Sequence, residues 1–262
     1  MRSRKNLVMP NQKVIRLEKD GPSGTPLQKL VLDPQDFQSD LPEQFWHIYH
    51  QNGSLNLSVG VWTTTSMQEK FGPYPGDEFM FILEGQVEMI DSGGRSTLIG
   101  EGQSFCVRNG IPVSWRQNGF LRKFFITYNP PGDVVPNDPS DEPGVFVLDS
   151  KVLSSGLENM ETYFPFEVEG KHPEQQNATL FVNDTGNMTV GRRETPSLVT
   201  VMQSFPCNEM IKILDGEIAI KEKAGRSHEF LAGDVFFVPK GTECSWEFRR
   251  KSNVIYCRVD ED

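Results

Sequence analysis

Short apolar stretches alternate with turn residues along most of this chain, and this pattern predicts a protein built from β-strands. In Leu55–Trp62 every second residue is apolar, which is typical of a half-buried strand. Further strands are expected at Glu78–Leu83, Gln86–Ile90, Arg95–Ile99, Gln103–Val107, Val113–Arg116 and Leu121–Tyr128, with turns that contain Gly or Pro between most of them. Strands at intervals of roughly 8–12 residues favour an all-β barrel or sandwich.

The same pattern occurs a second time. The segment Pro75–Trp115 matches Pro206–Trp246 at an offset of 131 positions (206 − 75) without a gap. Matching pairs include Glu78 and Glu209, Gly85 and Gly216, Gly102 and Gly233, and Trp115 and Trp246. A solenoid repeats every 20–50 residues or so, and therefore this longer period indicates two duplicated domains.

The 262 residues are enough for two such domains, each with its own core. The predicted limits are an N-terminal barrel with an N-terminal extension at 1–128, a linker rich in Pro and Asp at 129–143, and a C-terminal barrel at 144–262. Val145–Val152 is expected to begin the first strand of the second barrel.

The net charge and the distribution of apolar residues argue against several classes of function. The net charge of −10 argues against binding to nucleic acid or to an anionic membrane surface. The chain has no apolar run long enough to span a bilayer and no apolar core near its N-terminus of the kind a signal peptide carries. We therefore expect a cytoplasmic protein whose four cysteines are free thiols, and whose partner is a small molecule.

The two motifs in each half resemble those of the cupin superfamily, whose members are small jelly-roll β-barrels. Glu78 to Gly85 and Glu209 to Gly216 keep the E-x6-G spacing of the first cupin motif. In the second motif the glycines are present in both halves, but Arg108 stands where the family and the second half (Pro239) have proline. The resemblance implies a two-barrel protein, or bicupin, similar to the histidine-poor group that includes the ethanolamine-utilisation cupin.

Metal-binding cupins use three histidines and the motif glutamate, and this chain lacks those histidines. In the first half the corresponding positions include Tyr74 and Val113, so Glu78 is the one clear ligand. A transition-metal site generally takes three or four N, O or S ligands. The sequence therefore predicts that the first barrel is metal-free and that the protein has no metal cofactor.

The second half leaves one alternative open. Strand alternation places Cys207 and Glu209 on one face, and Cys244 occupies the position of the last family histidine. These three side chains would converge as a soft-metal or redox site, or the cysteines simply fill space in a core.

Alternation also predicts what each barrel encloses. A carboxylate and a tryptophan among apolar walls are expected to line a pocket for a small polar ligand, or else the glutamates are solvated at the barrel mouth. The predicted lining residues are Tyr74, Glu78, Met80, Val113 and Trp115 in the first barrel, and Glu209, Ile211, Cys244 and Trp246 in the second. Candidate counter-ions for the glutamates are Arg108, Arg122 and Lys123 in the first barrel, and Lys212, Lys240 and Arg258 in the second.

Two further features bear on assembly. Phe79, Phe81 and Leu83 form an apolar outer face that the other barrel or a second chain must cover, which favours close barrel packing and a homodimer. The segment 41–51 fits a helical turn or an edge strand. His47 and His50 in it are expected to form an aromatic surface or domain contact, or to face together in a helix.

The first functional hypothesis is a metal-independent bicupin that binds a sugar or a small carboxylic acid. The alternative is an enzyme of small-molecule catabolism. It would depend on metal through Cys207, Glu209 and Cys244, or it would be a metal-free isomerase or lyase with Glu78 or Glu209 as general base. A structural dimerisation module is the third possibility.

Overall fold

The computed structural model describes residues 12–130, 144–154, 156–159, 168 and 174–260. It is almost entirely β-structure, as the strand pattern predicts. The predicted linker at 129–143 lies mostly outside the described residues. No helix in the described ranges is long and apolar enough to cross a membrane.

The strands of the first half are β1 (Ile15–Arg16), β2 (Gln28–Lys29), β3 (Gln44–Asn52), β4 (Leu57–Thr64), β5 (Met67–Gln68), β6 (Gly72–Pro73), β7 (Asp77–Glu84), β8 (Gln86–Asp91), β9 (Ser96–Gly100), β10 (Ser104–Val107), β11 (Pro112–Gln117) and β12 (Leu121–Tyr128). A 3-10 helix spans Pro34–Asp36. Most of the segment 41–51, which the sequence left open, belongs to the strand β3.

The strands of the second half are β13 (Val145–Val147), β14 (Glu158–Asn159), β15 (Gln176–Val182), β16 (Met188–Thr195), β17 (Leu198–Val199), β18 (Gln203–Ser204), β19 (Asn208–Asp215), β20 (Glu217–Glu222), β21 (Ser227–Leu231), β22 (Val235–Val238), β23 (Glu243–Phe248) and β24 (Ser252–Val259). The short helix α1 spans Ser150–Leu153. From β4 to β12 and from β16 to β24, every strand recurs at the same offset of 131 positions (188 − 57).

Each half forms a barrel from one seven-stranded and one five-stranded antiparallel sheet. The first barrel combines the order β13-β10-β7-β12-β4-β3-β2 with β5-β11-β8-β9, where β6 also pairs with β11. The second combines β1-β22-β19-β24-β16-β15-β14 with β17-β23-β20-β21, where β18 also pairs with β23. The architecture is therefore the pair of tandem jelly-roll barrels, related by internal duplication, that the repeat predicts.

One tight turn shows why the duplicated glycines recur. Gly85 between β7 and β8 has φ 83°, and Gly216 between β19 and β20 has φ 122°. A Cβ on Gly85 would lie 2.2 Å from the backbone oxygen of Phe120. Only glycine adopts this backbone conformation at such a close approach without strain.

Edge strands are exchanged between the two barrels. β1, from the N-terminal segment, pairs with β22 of the second barrel, and β13 pairs with β10 of the first. The expectation that Val145–Val152 begins the second barrel is therefore wrong, because its strand part completes the sheet of the first barrel. Strand pairing thus crosses the predicted domain limits in both directions.

The two seven-stranded sheets bury their outer faces against each other. One continuous core contains residues of both barrels, among them Phe79, Phe81, Met210, Phe237 and Cys257. The second barrel of the same chain therefore covers the apolar outer face recognised in the sequence. A homodimer stays a prediction, since this face does not require one.

Polar contacts fix the angle between the barrels. Arg108 donates to the carboxylate of Asp184 (2.8 Å) and to the backbone oxygen of Val182 (3.1 Å). Asn183 donates to the carboxylate of Asp77 across the same junction (2.8 Å). Arg108, where the second half has proline, is thus an inter-barrel residue and not the counter-ion of Glu78.

His50 provides a pH test of this junction. Its ring lies 4.8 Å from that of Phe237, its Nε2 atom has no hydrogen-bond partner within the described structure, and burial lowers its pKa below 6.5. A histidine whose pKa is lowered on folding contributes stability at pH values above its pKa in the unfolded chain, and that contribution is lost as the pH falls. We expect the free energy of unfolding of the wild type to fall relative to that of His50→Leu between pH 8 and pH 5.

Denaturant unfolding of both proteins at each pH measures this difference. The value of His50→Leu at pH 8 reports any change in packing, which is then subtracted. An identical pH dependence in the two proteins would show that His50 does not couple protonation to unfolding.

Candidate functional site

Glu78 lies inside the first barrel at the centre of a polar cluster. Its strand β7 places it beside β12, from which Lys123 donates to Oε1 at 2.7 Å. The hydroxyl of Tyr74 donates to Oε2 at 2.5 Å. Of the three predicted counter-ions, Lys123 pairs with Glu78, while Arg108 faces the other barrel and Arg122 pairs with Asp20. Glu78, Tyr74 and Lys123 thus form one hydrogen-bonded unit.

Aromatic rings surround the ammonium group of Lys123. Its Nζ lies 5.0 Å from the ring centroid of Trp62, 4.9 Å from that of Trp115 and 5.7 Å from that of Phe125. These distances are within the range of cation–π attraction. Nζ also contacts the sulfur of Met80 at 3.0 Å, so Glu78 is its one strong acceptor in the described structure. An ammonium group has three donors, which leaves capacity for a ligand oxygen.

Burial of Tyr74 holds its phenol in the neutral form. Desolvation raises the pKa of Tyr74 well above its ordinary value, and the neighbouring charge of Glu78 adds to this effect. A neutral phenol acts as a hydrogen-bond donor here, which agrees with its contact to Glu78. The side chain predicted at the position of a missing histidine therefore belongs to the cluster.

Glu69 is the cluster member that sequence reasoning missed. It follows β5 and interacts electrostatically with Lys123, Glu78 and Tyr74. Burial raises its pKa from 4.5 to about 7, Lys123 lowers it, and Glu78 raises it. Glu69 lies in the loop 63–76, outside the family motifs. The sequence signal for it was weak: it lies nine residues before Glu78, in a segment that pairs with Phe37 in the structure.

In the second barrel Glu209 is fully buried and has a different partner. Arg193 of β16 donates to its Oε1 at 2.7 Å and lies over the ring of Tyr256 at 4.9 Å. Of the predicted counter-ions Lys212, Lys240 and Arg258, none forms an ion pair with Glu209. Lys212 donates to Gly102 of the other barrel, and Arg258 pairs with Asp260 and interacts with Glu209 only electrostatically. A motif-based search missed Arg193 because it belongs to the first strand of the repeat.

Aromatic side chains fill the rest of the second barrel. Phe205 stacks on Trp246 at 5.6 Å, and Phe236 packs against the same ring at 5.8 Å. Ile211 and Cys244 belong to this core, in which each is almost completely inaccessible to solvent. The four predicted lining residues of this barrel therefore lie in a close-packed interior around an internal ion pair.

The alternative in which Cys207, Glu209 and Cys244 converge is not supported by the structure of the described residues. Cys207 lies 3.8 Å from the Glu209 carboxylate, but Cys244 interacts with Trp246 and Glu222 instead. Burial raises the pKa of Cys244 to about 12, and that of Cys207 well above its usual value, so neither supplies a thiolate near neutral pH. Within the described residues no three His, Cys, Asp or Glu side chains form a metal-binding group.

His47 and His50 lie on the strand β3, so they do not form a helical pair. His47 packs edge-on against Tyr49 at 4.7 Å, and His50 contacts Phe237 of the other barrel. His50 thus makes the aromatic domain contact that was one of the sequence-based interpretations, whereas the partner of His47 lies on the same strand.

Val113 lines a different cavity. That cavity has a volume of about 400 Å³ and lies between the β8–β9 hairpin, the start of β11 and the segment Gly144–Val145. Glu78 and Lys123 are not among its lining residues. Val113 is thus separated from the polar cluster, whereas Met80 and Trp115 contact Lys123.

Comparison with known proteins identifies the class. Two duplicated jelly-roll barrels, each with a motif glutamate inside, define a bicupin. The family model described as "EutQ-like cupin domain" matches residues 55–125 and 195–253. The chain belongs to this EutQ-like group of the cupin superfamily. A comparison with proteins of curated function found no match.

Solved structures agree in fold. A protein of unknown function of the DUF861 family from Pseudomonas syringae has a TM-score of 0.74 at 18% identity, covering 95% of this chain and 100% of that one. Escherichia coli Ylba, also of the DUF861 family, has a TM-score of 0.55 at 14% identity, covering 98% and 96%. Streptomyces albus HEPD, solved with 2-hydroxyethylphosphonate and Fe(II), has a TM-score of 0.55 at 10% identity, covering 96% and 76%. These identities establish the fold alone.

Matched substitutions distinguish the two glutamates. Glu209→Gln leaves Arg193 buried without its counter-charge and should lower the free energy of unfolding by about 3–5 kcal/mol. Glu78→Gln should cost less, about 1–3 kcal/mol, because Glu78 and Lys123 are partly accessible to water. Denaturant unfolding of both variants measures the difference. Equal losses would contradict the distinction between a partly accessible ion pair and a fully buried one.

Glu69 should oppose folding at alkaline pH. Its pKa rises on folding, so the stability it contributes is present below pH 4.5 and is lost as the pH rises through about 7. Glu69→Gln should therefore raise the free energy of unfolding at pH 8, by up to ~3 kcal/mol, and have a smaller effect at pH 5.

Carboxyl 13C NMR measures the titration directly. One glutamate should titrate near pH 7 in the wild type, and its signal should be missing in Glu69→Gln. The midpoint should move to higher pH in Lys123→Met and to lower pH in Glu78→Gln, because these neighbours lower and raise the pKa of Glu69, respectively. A Glu69→Gln variant less stable than the wild type at pH 8 would contradict this electrostatic account.

Proposed function

We propose that this bicupin binds a small polar organic molecule, such as a sugar or a small carboxylic acid, inside its N-terminal barrel and without a metal ion. The polar contacts would come from Glu69, Tyr74, Glu78 and Lys123, and Trp115 would supply an apolar wall. The C-terminal barrel would serve as a structural support. The predicted homodimer and cytoplasmic location remain part of this proposal.

The observation that carries the proposal is the contrast between the duplicated barrels. At an offset of 131 positions (200 − 69), the cluster residues other than the motif glutamate, and Gln117 beside Trp115, each correspond to a less polar residue of the second barrel. The pairs are Glu69 and Thr200, Tyr74 and Phe205, Gln117 and Phe248, and Lys123 and Val254. Since both barrels share one backbone plan, the fold itself does not require these polar groups. Buried ionisable groups cost stability, which favours a functional reason for keeping them.

The cluster suits a neutral or singly charged oxygen-rich ligand. Lys123 and Glu78 compensate each other, so a ligand meets both a donor and an acceptor. Trp62 and Trp115 lie edge to face with centroids 5.8 Å apart, and the Trp115 indole N–H is held by Gln117 at 2.8 Å. Fixed aromatic walls with a few oriented polar groups are typical of small-molecule sites.

An enzymatic role is the second candidate, and Glu69 favours it. A carboxyl group that titrates near neutral pH exchanges protons readily at physiological pH. Glu78 and Glu209, the bases considered from the sequence, are instead engaged in ion pairs. A metal-dependent reaction through Cys207, Glu209 and Cys244 has no support from the described geometry.

Ligand-dependent thermal stabilisation tests the binding proposal. A panel of aldoses, ketoses and two- to four-carbon carboxylic and oxo acids should contain a compound that raises the melting temperature. At one hundred times Kd the stabilisation is about 2.7 kcal/mol, or roughly 5 °C for a protein of this size. The shift should persist in the presence of EDTA.

Variants locate the binding site. Lys123→Met and Glu78→Gln should abolish the ligand-induced shift, while Glu209→Gln, the matched substitution in the second barrel, should retain it despite its lower starting stability. A shift that disappears in Glu209→Gln alone would place the site in the second barrel. A shift that EDTA removes would contradict metal independence.

A further inference from the structure

Glu69 differs from the other carboxylates inside the barrels because its side chain has no partner. Glu78 is bound by Lys123 and Tyr74, and Glu209 is bound by Arg193. In the described part of the chain, the Glu69 carboxyl group makes no hydrogen bond or ion pair. Its oxygens are not among the buried atoms that lack a partner, so the carboxyl group reaches water and is accessible to a ligand.

The backbone of Glu69 is nevertheless fixed. Its N–H donates to the backbone oxygen of Trp115 at 2.8 Å, and its own carbonyl accepts from the hydroxyl of Ser114 at 2.6 Å. A bridge to Phe37 holds the other side of the segment. The backbone of Glu69 is therefore fixed beside Trp115, whereas no contact restrains the side chain itself.

Glu69 can act as a base, and the neighbouring Lys123 can donate a hydrogen bond to an oxygen on which negative charge develops. Lys123 is close enough to interact with it electrostatically, and Lys123 retains hydrogen-bonding capacity beyond Glu78 and Met80. A base together with a cationic donor and flat apolar walls is what proton abstraction next to a carbonyl group requires. Thr200, the equivalent residue in the second barrel, instead accepts from the backbone of Trp246 at 2.8 Å.

We propose that Glu69 is the proton-transfer residue of the N-terminal barrel and acts on small carbonyl compounds that carry a hydrogen on the adjacent carbon. This inference rests on the ligand site proposed above and names its substrate class, an α-hydroxy ketone or aldehyde, or a 2-oxo acid. It assigns the base to Glu69 and not to Glu78 or Glu209.

The step is a reversible enolisation without change in oxidation state. The ionised Glu69 carboxylate removes a proton from the carbon beside the carbonyl group. The electron pair of that C–H bond forms the carbon–carbon double bond, and the carbonyl π electrons move to the oxygen, where Lys123 donates a hydrogen bond. Return of the proton from Glu69 to the same carbon restores the substrate. When that carbon carries a hydroxyl group, transfer of the hydroxyl proton to the enolate oxygen, followed by return of the proton from Glu69 to the former carbonyl carbon, gives the isomer.

Deuterium exchange tests this step without knowledge of the natural substrate. Dihydroxyacetone, pyruvate and 2-oxobutyrate are incubated with the protein in D2O, and loss of the signal next to the carbonyl group is followed by 1H NMR. We expect exchange at least tenfold above the buffer background for one or more probes. The rate should rise with pH through about 7 and then level off.

Two variants at matched positions assign the base. Glu69→Gln should reduce exchange to background while folding normally, whereas Thr200→Ser in the second barrel should exchange as the wild type does. Glu69→Asp moves the carboxylate and should retain a reduced rate with the same form of pH profile. Exchange that survives in Glu69→Gln would overturn the assignment.

Saturation-transfer NMR on the same samples separates the two proposals. Binding of a probe without exchange overturns the role of Glu69 and leaves the ligand site standing. Fragments this small are expected to bind with roughly millimolar affinity. If no probe binds at about 10 mM, the carbonyl substrate class and this inference both fail. The panel of sugars and acids then still tests the binding proposal. Exchange above background that requires Glu69 supports both.

Discussion

Burial of one apolar sheet face against another determines this architecture. Each seven-stranded sheet has an apolar inner face and an apolar outer face, so neither barrel can leave its outer face in water. The duplicated chain resolves this by packing the two outer faces together. The exchanged strands β1 and β13 extend the same two sheets, and Arg108 and Asn183 fix their relative angle. Because these contacts hold the sheets from outside, the interior of the first barrel does not have to provide the packing between the sheets.

The duplication made the fold predictable, and it made the site only partly so. An offset without gaps transfers each strand, turn glycine and inward-facing position from one half to the other. The sequence therefore indicated Glu78, Trp115 and Tyr74 as interior residues, as well as the need to cover Phe79 and Phe81. These inferences depend on local alternation, which the backbone of a regular strand enforces.

Long-range pairing is what the sequence left undetermined. The partner of Glu78 is Lys123 from β12, whereas the partner of Glu209 is Arg193 from β16, where the first barrel has Trp62. The two equivalent carboxylates thus take their positively charged partners from different strands, and no motif predicts which strand provides the partner. Exchange of β1 and β13 was likewise hidden, because a two- or three-residue edge strand has no periodicity of its own.

The contrast between the barrels has a physical logic. Phe205, Trp246 and the Arg193–Glu209 pair fill the second barrel, so it contributes stability through dense packing. The first barrel holds Glu69 without a partner, a feature that packing alone would eliminate. Proteins tolerate such a destabilising group where activity needs it, provided that the rest of the molecule supplies the lost stability. A shared inter-barrel core lets one duplicate supply that stability while the other keeps its polar cluster.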